Sequence, residues 1–167
     1  GPIFTMIFAA LLLHEHPGVW LQTHLAENRD EIAWVARLFP GSRDYLDVYA
    51  SHGLVGRRSV FGHGIHLAED AWRRLHDAGA AVAHCPTSNL RLGAGIAPVR
   101  EYLDAGIRVG LGVDGSASNE RSDLLFEVKQ ALLVARGLGG PDAMTAREAL
   151  RLAVQGDRRG ARCALRD

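Results

Sequence analysis

Short apolar runs alternate along the chain with longer segments of helical periodicity. Four runs read as strands, at 19–23, 59–62, 80–83 and 108–113. They are bounded by turn residues, as strands of a buried parallel sheet are. Between them the spacing predicts helices over 27–38, 45–52, 68–78 and 97–105, and after them over 124–135 and 146–154. In the first of these, Ile32, Val35, Ala36, Leu38 and Phe39 share a face. In the third, Trp72, Leu75 and Ala78 face inward while Arg73, Arg74 and Asp77 face water. Pro17-Gly18, Pro40-Gly41, Gly53 and Gly106 mark the stops. Residues 84–95 read as a loop, and residues 3–16 as an apolar helix ahead of the first strand.

This alternation suits βαβ units and a parallel sheet, so the fold class is α/β. About four units are present, without linker, repeat or low-complexity tract. A closed (β/α)8 barrel takes about 250 residues, so four units make an open sheet or half a barrel. One partial barrel domain is expected over 1–167: an apolar helix at 1–18, four βα units carrying the site at 19–117, and C-terminal helices at 118–167.

Composition narrows the function classes. Lysine plus arginine and aspartate plus glutamate number 19 each, for a formal charge of zero. No basic field for nucleic acid or an anionic membrane follows. Cys85 and Cys163 lack metal-ligand spacing and suggest no disulfide framework, which points to a reducing, cytoplasmic setting. The apolar stretch 2–13 has no basic start and is too short to span a bilayer. It is expected to be a buried helix.

Candidate chemistry sits where the runs end. The first ends at His24, the second at His63, and the fourth at Asp114 within Gly110-Leu-Gly-Val-Asp114-Gly-Ser-Ala-Ser-Asn119. In a parallel sheet all three reach one rim. Two imidazoles and a carboxylate suit zinc or another divalent ion, whose bound water becomes acidic enough to react near neutral pH. Glu27, three residues beyond His24, could move a proton there. Each residue also has a structural explanation: a hydrogen-bonded histidine, a helix-capping aspartate, or a first-turn glutamate favoured by the helix dipole. His14 and His16 point to different sides of a helix, so they read as a solvated helix end. His84 reads equally as a pocket-lining or a loop-bonding residue. His52, His66 and His76 read as surface or capping residues.

Several ordered motifs carry a resemblance. Gln22-Thr-His24-Leu-Ala-Glu27-Asn, Phe39-Pro through Asp44-Tyr-Leu-Asp-Val-Tyr49, Gly62-His63-Gly and His84-Cys-Pro-Thr-Ser-Asn-Leu90 resemble the guanine deaminases of the amidohydrolase superfamily, which are metal-dependent TIM-barrel hydrolases. The segment 110–119 and Glu127-Val-Lys-Gln-Ala131 look more like the 8-oxoguanine deaminase and triazine-hydrolase branch. The resemblance implies the C-terminal half of the barrel, about strands 5–8. It implies zinc, one ion per site, with ferrous iron as an alternative, held by His24 and Asp114. Catalysis would fall to Glu27, His63 and Asp114, and His24, Glu27, His63 and Asp114 would contact the substrate. The implied reaction adds water at C2 of guanine and releases ammonia, leaving xanthine. The alternatives are an 8-oxoguanine or triazine aminohydrolase, and a non-catalytic fragment or interaction module. The His-x-His pair of the first barrel strand does not occur, so the isolated chain is expected to be impaired. The implied partners are a small purine and either a second copy or the complementary N-terminal half, with no nucleic acid and no membrane.

Overall fold

A computed structural model describes residues 2–154. Cys163 and the expected end of the C-terminal segment, 155–167, lie outside the described residues. Twelve elements follow one another: α1 (Pro2–Glu15), β1 (Leu21–Leu25), α2 (Arg29–Leu38), α3 (Tyr45–Ala50), β2 (Ser59–His63), α4 (Glu69–Ala78), β3 (Ala81–His84), α5 (Pro86–Arg91), α6 (Val99–Asp104), β4 (Arg108–Leu111), α7 (Leu124–Gly139) and α8 (Ala146–Val154). The strands form one parallel sheet in sequential order, β1-β2-β3-β4. Connections between parallel neighbours are almost always right-handed, and in this order that rule puts their helices on the same side. That is the winding of a barrel arc rather than of a doubly wound sheet, whose order reverses.

Local chemistry sets the helix ends. Asn28 caps α2 by accepting from the Glu31 N–H at 2.8 Å, and Asp44 caps α3 by accepting from the Asp47 N–H at 2.8 Å. Thr145 and Glu148 form a reciprocal capping box at the start of α8. Gly79, at φ +65°, closes α4 in the left-handed conformation that a side chain would resist.

The core lies between sheet and helices. Leu25, Phe61, Val82 and Val109 reach from the four strands to meet Leu75 of α4, Tyr102 of α6 and Leu152 of α8, all buried. Five expectations need correction. The first strand begins at Leu21 rather than at position 19, and α2 begins at Arg29, so Glu27 precedes the helix and is not a first-turn residue. The stretch 84–95 contains α5, opened by Pro86 at its first position, where the missing N–H costs nothing. The helix expected at 124–135 runs on to Gly139. Finally, α1 is a helix but not a buried one. Met6, Ala9, Ala10 and Leu13 pack against the core while Phe4, Phe8 and Leu11 stay more than half exposed. A helix apolar all round offers more faces than one sheet edge can cover.

Candidate metal and proton-transfer site

Register decides which residues share a face. His24 pairs with Gly62, Gly62 with Ala83, and Ala83 with Gly110. These four form one row across the concave face, and every neighbour of His24 in it is small. A Cβ on Gly62 would stand 3.3 Å from His24 Cδ2, so glycine lets the imidazole lie across the sheet. His63 and His84 stand one residue further along their strands, where the pleat would turn both toward the helices. Their fates differ. His63 has φ +70°, which ends its strand and swings the ring back over the rim. Asp114, at φ +63°, makes the same left-handed turn beyond β4. Such conformations are uncommon for non-glycine residues and concentrate at functional sites.

The turns bring the residues together. One ligand atom each from His24, His63 and Asp114 fall within 4.8 Å of one another. His24 Nε2 lies 3.8 Å from Asp114 Oδ1, and His63 Nε2 lies 3.8 Å from Asp114 Oδ2. Glu27 closes the fourth side, with Oε2 3.9 Å from His24 Nδ1 and 3.7 Å from His63 Nε2. The two imidazole rings meet edge to face at 4.7 Å. The side chain of His24 is 52% exposed and that of His63 1%, so the site opens from the β1 side.

Whether these residues fit a metal turns on His63. Its Nε2 is buried and has no hydrogen-bond partner, and it points between two carboxylates. An unsatisfied ring nitrogen there costs stability unless something binds it. With a second imidazole and a carboxylate at the spacing above, the donor set fits a divalent cation with nitrogen and oxygen ligands. His63 therefore joins His24 and Asp114 in the candidate ligand cluster, as the three strand ends had suggested and where the family resemblance implied only the other two.

Residues that the sequence did not single out hold this arrangement. Asn89 Oδ1 accepts from His63 Nδ1 at 2.8 Å. The hydroxyls of Ser88 and Ser118 both donate to Asp114 Oδ2, at 2.6 and 2.9 Å. Burial pushes the Asp114 carboxyl upward, but those hydroxyls, the Gly115 N–H and nearby His63 together hold it below its usual value. Buried Glu127 accepts from the Asn119 amide at 2.9 Å and from the Thr87 N–H at 3.2 Å. Asn119 also donates to the Val113 carbonyl at 2.8 Å, tying α7 to the backbone just before Asp114. The run of three consecutive polar residues at 87–89 was the signal available.

The remaining candidates stand apart. His84 is buried on the helix side, where it lines a cavity with Ala131 and Val134 of α7 and stands apart from the His24–His63–Asp114 cluster. Its Nδ1 has no hydrogen-bond partner. Burial, with His63 adding to it, brings its pKa down to about 4. His14 and His16 are exposed at the end of α1. His52 Nδ1 bonds the Val48 carbonyl at 2.7 Å, and His66 Nε2 the Ala94 carbonyl at 2.9 Å. His66 thereby walls a cleft beside Glu27, bordered also by Asn28, Arg29 and Leu92. The Cys85 thiol is pushed up to about 12 by burial, with Asp114 and Glu127 adding to the effect, which keeps it a thiol and no nucleophile.

His84 gives a pH prediction. Between pH 6.5 and about 4 the unfolded chain binds a proton at this ring that the folded chain refuses. Its stabilising effect is complete above pH 6.5 and is lost as pH falls through that window. At about 1.4 kcal/mol per pH unit, roughly 3 kcal/mol should disappear. Denaturant midpoints measured across this range should show that slope, and His84→Leu should flatten it. The Asp114 contribution, whose pKa is lowered, is lost only at lower pH, below the usual carboxylate value.

Among the described residues no helix is long and apolar enough to cross a membrane. Comparisons with known proteins agree on one family. Residues 2–156 match the Amidohydrolase family. The chain is 46% identical over 109 residues to the guanine deaminase of Escherichia coli (strain K12), covering 65% of this chain and 25% of that protein. It is 46% identical over 143 residues to an 8-oxoguanine deaminase of Pseudomonas aeruginosa, covering 84% and 31%. The solved E. coli guanine deaminase superimposes with a TM-score of 0.86 at 39% identity, over 93% of this chain and 35% of that one. An atrazine chlorohydrolase from Arthrobacter aurescens TC1, solved with zinc, does so at 0.83 and 33% identity, over 92% and 34%. The chain thus spans between a quarter and about a third of the length of these relatives.

Proposed function

The chain belongs to the amidohydrolase family, and from that premise we propose that it carries one half of the active site of a metal-dependent purine deaminase acting on guanine. The observation that carries the reading is the cluster of His24, His63 and Asp114 with Glu27 against both rings. Guanine as substrate is supported by the guanine deaminases among the relatives. The four strands correspond to the second half of the barrel, about strands 5–8, with the βα units of 19–117 as the site-bearing part. Among the described residues the outer edges of β1 and β4 have no partner strand, and there the other strands of a closed barrel would bond. In a whole barrel those strands would complete the metal shell, whether from the complementary N-terminal half or from a second copy.

Zinc, the ion in the related chlorohydrolase structure, would be held by His24, His63 and Asp114, and would supply Lewis-acid activation of the attacking water. The chain's own residues do the rest. Asp114, ionised at neutral pH, accepts a proton from the water as it adds to C2 of guanine. Glu27 stands within 4 Å of both imidazoles, where it can orient the purine and relay the proton taken from the water on to the departing amino nitrogen, which leaves both carboxylates as they began. Ammonia leaves and xanthine remains. The cleft bordered by Asn28, Arg29 and His66 is the approach to Glu27.

The test combines metal content, solution mass and substrate panel. About one zinc per chain is expected, with guanine deamination that a chelator abolishes and zinc restores once the barrel is complete, and little activity from the isolated chain. A metal-loaded complete barrel that hydrolyses triazines but not purines would favour the second reading, which the Val113-Asp114-Gly-Ser-Ala-Ser-Asn119 variant supports. A completed barrel that takes up no zinc would sink both.

A further inference from the structure

Helix α5 offers no ligand of its own, yet two consecutive residues on it hold two of the site's side chains. Ser88 and Asn89 are both buried, at 0% and 1% exposure. Asn89 meets His63 through its amide oxygen, which has no proton to give. An amide oxygen at this position selects the tautomer with the proton on Nδ1, in which Nε2 keeps its lone pair. That lone pair is the unpartnered one facing Glu27 and Asp114. Ser88 acts on the opposite wall. It and Ser118 both donate to Asp114 Oδ2, so neither hydroxyl blocks Oδ1, which faces His24 Nε2 at 3.8 Å.

We propose that the Ser88–Asn89 pair is a positioning device that presets which nitrogen of His63 and which oxygen of Asp114 face the reaction centre. It deepens the function proposed above and rests on that reading only for what the two atoms will meet. The device has its own anchor. Thr87, the residue before the pair, donates its N–H to buried Glu127 of α7, so α5 is pinned at the position where it turns toward the site. Neither residue is a catalytic residue: each acts through another side chain.

The opposite arrangement is chemically sensible and makes the proposal falsifiable. With the Asn89 amide reversed, its nitrogen would donate to Nδ1 and the His63 proton would move to Nε2, pointing at the two carboxylates. Nitrogen-15 spectra of the metal-free chain, labelled at histidine and recorded where the imidazole is neutral, distinguish the two directly. The parent should show a protonated Nδ1 and a bare Nε2 at His63. Asn89→Leu, which lacks any acceptor, should move the proton toward Nε2, and Asn89→Asp should restore the parent pattern. Ser88→Ala should leave the tautomer alone and weaken binding of zinc by about tenfold, as loss of a residue orienting a ligand does.

A parent protein with its proton on Nε2, or an Asn89→Leu variant with an unchanged tautomer, would overturn the role of Asn89. Unchanged zinc affinity in Ser88→Ala would overturn that of Ser88. Should Asn89→Leu fail to fold, the parent spectrum and Asn89→Asp still decide the matter. Because the tautomer is read without substrate or metal, failure of the deaminase reading would leave this result standing, and the two cannot be confused.

Discussion

Asp114→Asn is expected to weaken zinc binding by about 100-fold or more with the fold intact. Residues that only orient a ligand are worth about 10–100-fold in metal affinity, and a charged ligand is worth at least the upper end of that range. The fold should survive for three local reasons. Asn is among the few side chains that accept the left-handed conformation found at this position, φ +63°. Its amide oxygen can still accept from the Ser88 and Ser118 hydroxyls. The side chain points into an open site and not into the core. What changes is the charge and the direction of hydrogen bonding: an amide NH2 replaces the oxygen opposite His24 Nε2. The parent carboxylate is already ionised near neutral pH, so an incoming cation displaces no proton from it. Competition with a chelating dye would measure the affinity, and denaturant midpoints would check the fold. Equal affinities in mutant and parent would remove Asp114 from the ligand set.

The second large effect is on stability. Glu127→Leu should lower it by about 3 kcal/mol, a substantial part of the 5–15 kcal/mol typical of a domain. Glu127 is 0% exposed and is the acceptor for two donors from different segments, the buried Asn119 amide in the loop before α7 and the Thr87 N–H of α5. Leucine fills similar space but leaves both donors unanswered, at about 1–3 kcal/mol apiece. Replacing a buried charge together with its partners is often harmless, whereas removing it alone is not. Glu127→Gln separates the two effects. Its carbonyl can serve one donor, but its NH2 then abuts the other, and a loss nearer 1 kcal/mol is expected. Urea unfolding of the three proteins tests the order. Matching midpoints for parent and Glu127→Leu would mean that water satisfies the orphaned groups. Zinc affinity should fall alongside stability, because Asn119 also holds the Val113 carbonyl next to Asp114.

These two sites differ in how openly the sequence displayed them. Asp114 was visible because it ends an apolar run, and a parallel sheet delivers every such end to one rim whatever the separation in sequence. His24 and His63 were found by the same rule. Glu127 was noticed only as part of a family motif, since a glutamate on an amphipathic helix usually faces water. Ser88 and Asn89 lay in what read as a loop, and no periodicity marks a helix of one and a half turns. The end of β3 shows the limit of the rule. His84 occupies a strand end as His63 does, yet it faces the helices.

The sequence by itself determined the strand–helix alternation, the parallel sheet and the rim residues His24, His63 and Asp114, because those follow from local periodicity and from the fixed polarity of parallel strands. Tertiary structure alone decided which way each rim residue turned and what holds it there. Left-handed backbone at His63 and Asp114, the row of small residues beside His24, and bonds from Asn89 to His63 and Ser88 to Asp114 across 26 residues or from Thr87 to Glu127 across 40 are set by packing between elements. No residue's immediate neighbours in the chain encode such contacts; they exist only once the sheet has been closed over by its helices.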